Sequence, residues 1–160
     1  MRSRLSVLSI GMFVWLLDYV SKQWALTTLA DGHSLHLVGN LLWLQLTWNP
    51  GAAFSMGTGS TWVFTVLASL VIVGILVRAA RVTTGIWLAG LGGLLGGAAG
   101  NLTDRLIRPP SVGLGHVVDF IATPHFPVFN LADSAIVVSV ALMFMASVLG
   151  FPTDGRREHG

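Results

Sequence analysis

The stretch "TWVFTVLASLVIVGILV", residues 61–77, contains no ionisable side chain. A helix crossing the ~30 Å hydrocarbon core of a bilayer needs about 20 mostly apolar residues, so this run reads as a membrane span. Three further segments qualify: about Leu5–Thr28, interrupted by Asp18 and Lys22, about Thr84–Leu102, rich in glycine and alanine, and about Leu131–Phe151. The whole chain agrees with this reading. It is 53% hydrophobic and 10% charged, with a mean hydropathy of +0.74, where soluble domains carry about 25% charged residues. The expected fold is an all-α membrane protein in one domain, residues 1–160, with four transmembrane helices.

Basic residues orient the four spans. Arg2, Arg4, Arg78, Arg81, Arg156 and Arg157 fall on one side, and Lys22, Arg105 and Arg108 on the other. Six against three places both termini in the cytoplasm by the positive-inside rule. The connections 29–60 and 103–130 then lie outside. "MRSRLSVLSIGMFVWLL" also has the basic and apolar regions of a secretory signal. No convincing small-residue cleavage site follows, which favours a retained helix. In the first outside segment, "HSLHLVGNLLWLQLTW" alternates over Leu42, Leu44, Leu46 and Trp48 behind a Gly39-Asn40 turn signal. This predicts a small extracytoplasmic β-hairpin. Trp43, Trp48 and Trp62 suit a membrane interface or the packing of that hairpin.

There are no cysteines, which excludes disulfides, thiolate metal sites and cysteine nucleophiles. The net charge of +2 is dispersed, so no nucleic-acid surface is expected. Neither an HExxH zinc motif nor a GxSxG elbow occurs. His116, Asp119 and His125 could be metal ligands only at a spacing that no standard site uses. Ser55 and Ser134 have no evident positioned base, and Ser21 and Lys22, adjacent on a helix, point about 100° apart. No cofactor and no metal are expected.

The informative residues are the polar ones in apolar surroundings, because an ionisable group inside a span is costly and usually faces a partner or a cavity. Asp18 and Lys22 are four apart on one helix face; they read either as a structural ion pair or as part of a site. In "LAGLGGLLGGAAGNLTDR", residues 88–105, Gly92, Gly96 and Gly100, and separately Gly93 and Gly97, have the spacing of close helix packing. The helix then presents Asn101, Asp104 and Arg105 at its outer end. Arg105 could snorkel to water, whereas a buried Asn101 amide needs partners. Asn49-Pro50-Gly51 is a turn signal.

Two carboxylates stand in "VVDFIATPHFPVFNLADS", residues 117–134, of a chain with seven acidic residues. Asn130 is a good helix N-cap and Asp133 sits third in the helix, close to a capping box. Asp119 lies between Val118 and Phe120 with no such role. Two aspartates sharing one site can hydrolyse a peptide bond, since like charges cannot both ionise at about 3 Å and one acid and one base result.

At these residues the chain resembles a known family. "DYVSK" (18–22), "NPGAAFS" (49–55), "GGAAGNLTDR" (96–105), "VVDFI" (117–121) and "FNLADS" (129–134) are similar in order and spacing to the motifs of lipoprotein signal peptidase, or signal peptidase II. The resemblance implies a membrane aspartic endopeptidase (a hydrolase) of the bacterial cytoplasmic (inner) membrane. Such an enzyme removes signal peptides from prolipoproteins, cleaving N-terminal to the diacylglyceryl-modified cysteine. It implies Asp119 and Asp133 as the catalytic pair, Asn101 and Arg105 as residues lining or bracing the site, and Asn49, Asn130, Asp18 and Lys22 as further signature positions. It also implies an outside β-cradle. The expected partners are lipid-modified prolipoproteins and membrane lipids, with the enzyme a monomer. The alternative from another class is a small polytopic transporter with an acidic relay, which would spread its ionisable residues through the bilayer depth. A purely structural membrane subunit would leave Asp119, Asp133 and Asn101 unexplained.

Overall fold

The computed structural model describes residues 2–51 and 61–154. Four helices and four strands follow in the order α1 (Arg2–Thr28), β1 (Leu35–Val38), β2 (Leu42–Asn49), α2 (Thr61–Arg78), α3 (Gly85–Ile107), β3 (Val117–Thr123), β4 (Phe126–Phe129) and α4 (Leu131–Val148). A short 3-10 turn, Ala79–Arg81, follows α2. Each helix is long and apolar enough to cross a membrane. Their outer faces carry the large exposed apolar residues, such as Phe13, Leu70 and Phe144, which is the pattern of a protein dissolved in lipid.

α3 is the central helix: 56% of its most apolar window is buried, against 11–22% for the other three. Its glycines are the cause. One stripe faces α1, where a Cβ on Gly92 would meet the Ile10 side chain at 2.6 Å and one on Gly96 would meet the Gly11 carbonyl oxygen at 2.5 Å. The other faces α4, where a Cβ on Gly97 would meet the Ala132 carbonyl oxygen at 2.6 Å. In lipid, where burial from water does not drive helices together, such backbone approach supplies the packing. A second cluster of Val7, Ile75, Ala79, Val82, Leu91 and Leu95 closes the end that carries Arg2, Arg4, Arg78 and Arg81.

The opposite end carries an antiparallel sheet in the order β1-β2-β3-β4. The expected hairpin is β1–β2, with Leu41 N–H donating to the Val38 carbonyl across Gly39-Asn40 and Gly39 at a φ of +47°. Phe120 and Ile121 of β3 pack with Leu35, Leu44 and Leu46 on Ala25 and Leu29, at and beyond the end of α1. Two features differ from the sequence reading. In segment 103–130, α3 continues past the expected Leu102 to Ile107, and β3 and β4 double the hairpin into a four-stranded sheet. The helix continues because Asp104 and Arg105 are themselves buried, so the charges that read as its exit from the membrane are part of its packed face. α4 in turn stops at Val148 rather than at Phe151, because Gly150 turns left-handed at φ +70°. Phe151 N–H then returns to the Ala146 carbonyl and Gly150 N–H to the Ser147 carbonyl, a Schellman ending.

The glycine packing can be tested by adding one methyl group. Gly97→Ala should destabilise the detergent-solubilised protein by about 1–3 kcal/mol, because the obstructing atom is a backbone oxygen. Gly74→Ala on α2, where nothing lies within 4 Å, should be neutral or slightly stabilising. Thermal unfolding of both variants measures the difference.

Candidate active site

The site is built where α1, α3, α4, β2 and β3 meet. Asp119 lies on β3 opposite Thr47 of β2. Asn49, two residues beyond Thr47, points to the same face of the sheet and donates from Nδ2 to Asp119 Oδ2 at 2.8 Å. The other oxygen, Oδ1, accepts from Asn130 Nδ2 at 2.6 Å. Asn130 links the end of β4 to the start of α4, and it is fully buried.

Asp133 is the third residue of α4, and the capping box expected from the sequence is present. Asn130 Oδ1 accepts from Asp133 N–H at 2.9 Å, and Asp133 Oδ2 accepts from Asn130 N–H at 3.2 Å. Capping occupies one carboxylate oxygen. The other, Oδ1, accepts from Asn101 Nδ2 at 2.7 Å. The two carboxylates, 14 positions apart in the chain, are therefore joined through the Asn130 and Asn101 amides, which bond each other at 3.1 Å.

Three amides face the carboxylates with their NH2 groups, and each is held that way round by a donor on its oxygen. Gly51 N–H donates to Asn49 Oδ1 at 2.8 Å, Asp133 N–H to Asn130 Oδ1 at 2.9 Å, and Lys22 Nζ to Asn101 Oδ1 at 3.0 Å. An ammonium cannot accept a hydrogen bond, so Lys22 allows only this orientation of Asn101.

Lys22 is 1% exposed. Its remaining contacts are Asp18 Oδ2 at 2.8 Å, an ion pair off the hydrogen-bond direction, and Asp104 Oδ2 at 2.9 Å. Asp18 Oδ1 accepts from Ala132 N–H at 2.9 Å, which ties α1 to the first turn of α4. Asp104 also pairs with Arg108 and accepts from Val118 N–H at 3.1 Å. Arg105 does not snorkel. It is 9% exposed, donates to the Asn101 carbonyl at 3.1 Å, and lies 5.7 Å over the Phe64 ring.

Burial pushes the Asp119 carboxyl up to about 6, and the nearby Asp133 charge adds to the rise, while the Asn49 and Asn130 amides and Lys22 oppose it. Desolvation thus outweighs two hydrogen bonds to the charged form.

All eight residues singled out from the sequence, namely Asp119, Asp133, Asn101, Arg105, Asn49, Asn130, Asp18 and Lys22, converge at this end. Two were missed as site residues, Asp104 and Arg108. Their signal was the four-residue spacing that had marked Asp18 and Lys22, and it was obscured by the reading of the chain beyond Leu102 as outside the membrane. The "AAFS" part of the Asn49 motif, residues 52–55, lies outside the described residues. Among those described, no three His, Asp or Glu side chains gather in a way that could hold a metal, so His116, Asp119 and His125 do not form such a group.

Comparisons with known proteins place the chain in a family. A lipoprotein signal peptidase of Mycobacterium leprae is 45% identical over 154 residues, which cover 95% of this chain and 77% of that protein. One from Leifsonia xyli subsp. xyli is 42% identical over 93% of this chain and 69% of its own. A solved structure described as a bacterial membrane enzyme, determined by the in meso method, superposes with a TM-score of 0.78 at 28% identity, covering 89% of this chain and 92% of that one. The family model described as signal peptidase (SPase) II matches residues 10–149, and the chain belongs to that family.

Proposed function

We propose that this protein is an aspartic endopeptidase that removes signal peptides from bacterial prolipoproteins, with Asp119 and Asp133 as its catalytic pair. The observation that carries the assignment is the joining of the two carboxylates through Asn130 and Asn101 in a site where Asp119 is pushed up to about 6. The reaction needs one carboxyl of the pair protonated and the other ionised. The ionised member takes a proton from water, the resulting hydroxide adds to the scissile carbonyl, and the protonated member delivers its proton to the leaving nitrogen. The proton count of the pair is restored at the end of the cycle. Asn49, Asn130 and Asn101 hold the carboxylates without competing as bases, since an amide does not titrate. Arg105, the cation facing Asp133, Asp104 and Asp119, offsets the charge that develops on the carbonyl oxygen.

The substrate side follows from position. Cleavage N-terminal to a diacylglyceryl-modified cysteine requires a site at the membrane surface, with lipid chains held among apolar helices. The pair lies at the sheet end of the bundle, away from Arg2, Arg4, Arg78 and Arg81. By the positive-inside rule those arginines are cytoplasmic. The sheet, the active site and the segments around 29–60 and 103–130 are then extracytoplasmic, with both termini inside, and the enzyme works as a monomer among membrane lipids. The transporter reading finds no support, because the ionisable residues of the spans gather at one end.

Three measurements test these assignments. In a gel-shift assay on a lipidated prolipoprotein, Asp119→Asn and Asp133→Asn should each lower turnover by about 10²–10⁴-fold; cleavage near the wild-type rate in either variant removes that residue from the pair. The buried carboxyl should also mark stability. Its folded value of about 6 lies above the ordinary 3.8, so the stability gained from its proton is complete below pH 3.8 and is lost as pH rises through 6. The loss is about 3 kcal/mol, and the thermal midpoint of the wild type should fall more steeply over this window than that of Asp119→Asn. For orientation, the chain has no cysteine. Ser111→Cys should react with a membrane-impermeant maleimide in intact spheroplasts, and Ala80→Cys only after lysis.

A further inference from the structure

The Asp104 carboxylate is buried at 1% exposure and makes no hydrogen bond to either aspartate of the pair. It is not needed to neutralise Lys22, because Asp18 already does so at 2.8 Å. Asp104 and Arg108 add a second ion pair whose charges cancel between themselves. What Asp104 contributes that Asp18 does not is its contact with the sheet. β4 is in register with β3 at Ile121 and Thr123, so the earlier part of β3 has no strand on that side. The Val118 N–H would be an orphaned donor there, and Asp104 Oδ2 accepts it at 3.1 Å. The same oxygen holds Lys22 Nζ at 2.9 Å, and Lys22 fixes the Asn101 amide that reaches Asp133.

We propose that Asp104 is a positioning residue for both aspartates: its carboxylate holds the β3 backbone one residue before Asp119 and, through Lys22 and Asn101, orients the amide that reaches Asp133. The inference rests on the aspartic reading of the site and adds to it the coupling of the two halves. One carboxylate sets the placement of two groups carried on different elements.

Charge as well as position is involved. Lys22 from α1 acts on Asp119 and Arg105 from α3 on both aspartates; Asp18 and Asp104 pair with Lys22, and Arg108, just beyond α3, pairs with Asp104, whose carboxylate holds the residue before Asp119. β2 presents only the neutral Asn49, α2 contributes Phe64 beneath Arg105, and His116 lies in the turn ahead of β3. Removing the Asp104 charge leaves an excess of cations around Asp119, which favours its ionised form. Removing the Arg108 charge does the reverse.

The experiment compares wild type, Asp104→Asn, Arg108→Gln and the double variant as full-length protein in lipid, using a lipidated prolipoprotein substrate. Thermal midpoints and Asp119→Asn are run alongside. Asp104→Asn should lower kcat by about 10²-fold with KM little changed. It should also move the limb of the pH–rate profile belonging to Asp119 down by about one pH unit. Arg108→Gln should move that limb up, and the double variant should return it toward the wild-type position. A lower thermal midpoint with an unchanged limb in all three variants would make Asp104 a fold residue only and overturn the proposal. If Asp104→Asn does not insert, the Arg108→Gln limb decides alone. Activity retained in Asp119→Asn would instead sink the aspartic reading itself, so the two failures are distinguishable.

Discussion

A buried ammonium is the constraint on which the structure depends. Lys22 has three donors and no access to water, and an unpaired charge at such a place would cost several kcal/mol. It is met by two carboxylates, Asp18 and Asp104, and by the Asn101 amide oxygen, to which it donates. Each is engaged a second time with a different element. Asp18 reaches the first turn of α4, Asp104 the backbone of β3, and Asn101 the Asp133 side chain. Satisfying one cation thus brings three helices and the sheet into a single relative placement. The aspartates occupy the positions which that placement leaves.

The glycines of α3 are the steric counterpart of this polar cluster. Short hydrogen bonds among side chains of three helices require the helix axes to lie close together. Gly100 is set directly against the Asp18 carboxylate and the Ala132 side chain, so a methyl group there would push α1 and α4 away from α3. Packing and electrostatics are therefore one design. The stripes that let α1 and α4 approach α3 lead along the helix to the residues that need the approach.

The surroundings of the two carboxylates differ in kind. Asp133 stands at a helix N-terminus, where backbone N–H groups favour negative charge. Asp119 stands on a strand buried on both faces, where the side-chain amides of Asn49 and Asn130, with Lys22, compensate part of the lost water. The difference comes from secondary structure, since one carboxylate is carried at a helix start and the other on a buried strand.

The sequence by itself determined the parts whose cause is local. Apolar runs of membrane length mark four helices, because the bilayer imposes length and composition on any span. The Gly39-Asn40 signal marks a hairpin, because a two-residue turn needs particular backbone angles. Asn130 and Asp133 mark a helix start, because capping uses residues three apart. Asp119 and Asn101 were legible as polar residues without a local excuse. Only the tertiary structure decided which groups meet. That Lys22 pairs with Asp104 besides its neighbour Asp18, that Asp104 receives the Val118 N–H, and that Asn130 and Asn101 connect Asp119 to Asp133 rest on contacts between residues from 11 to 82 positions apart in the chain. The end of α3 was misjudged for the same reason. A charged residue in isolation reads as an exit to water, and only its buried partners reveal that the helix continues.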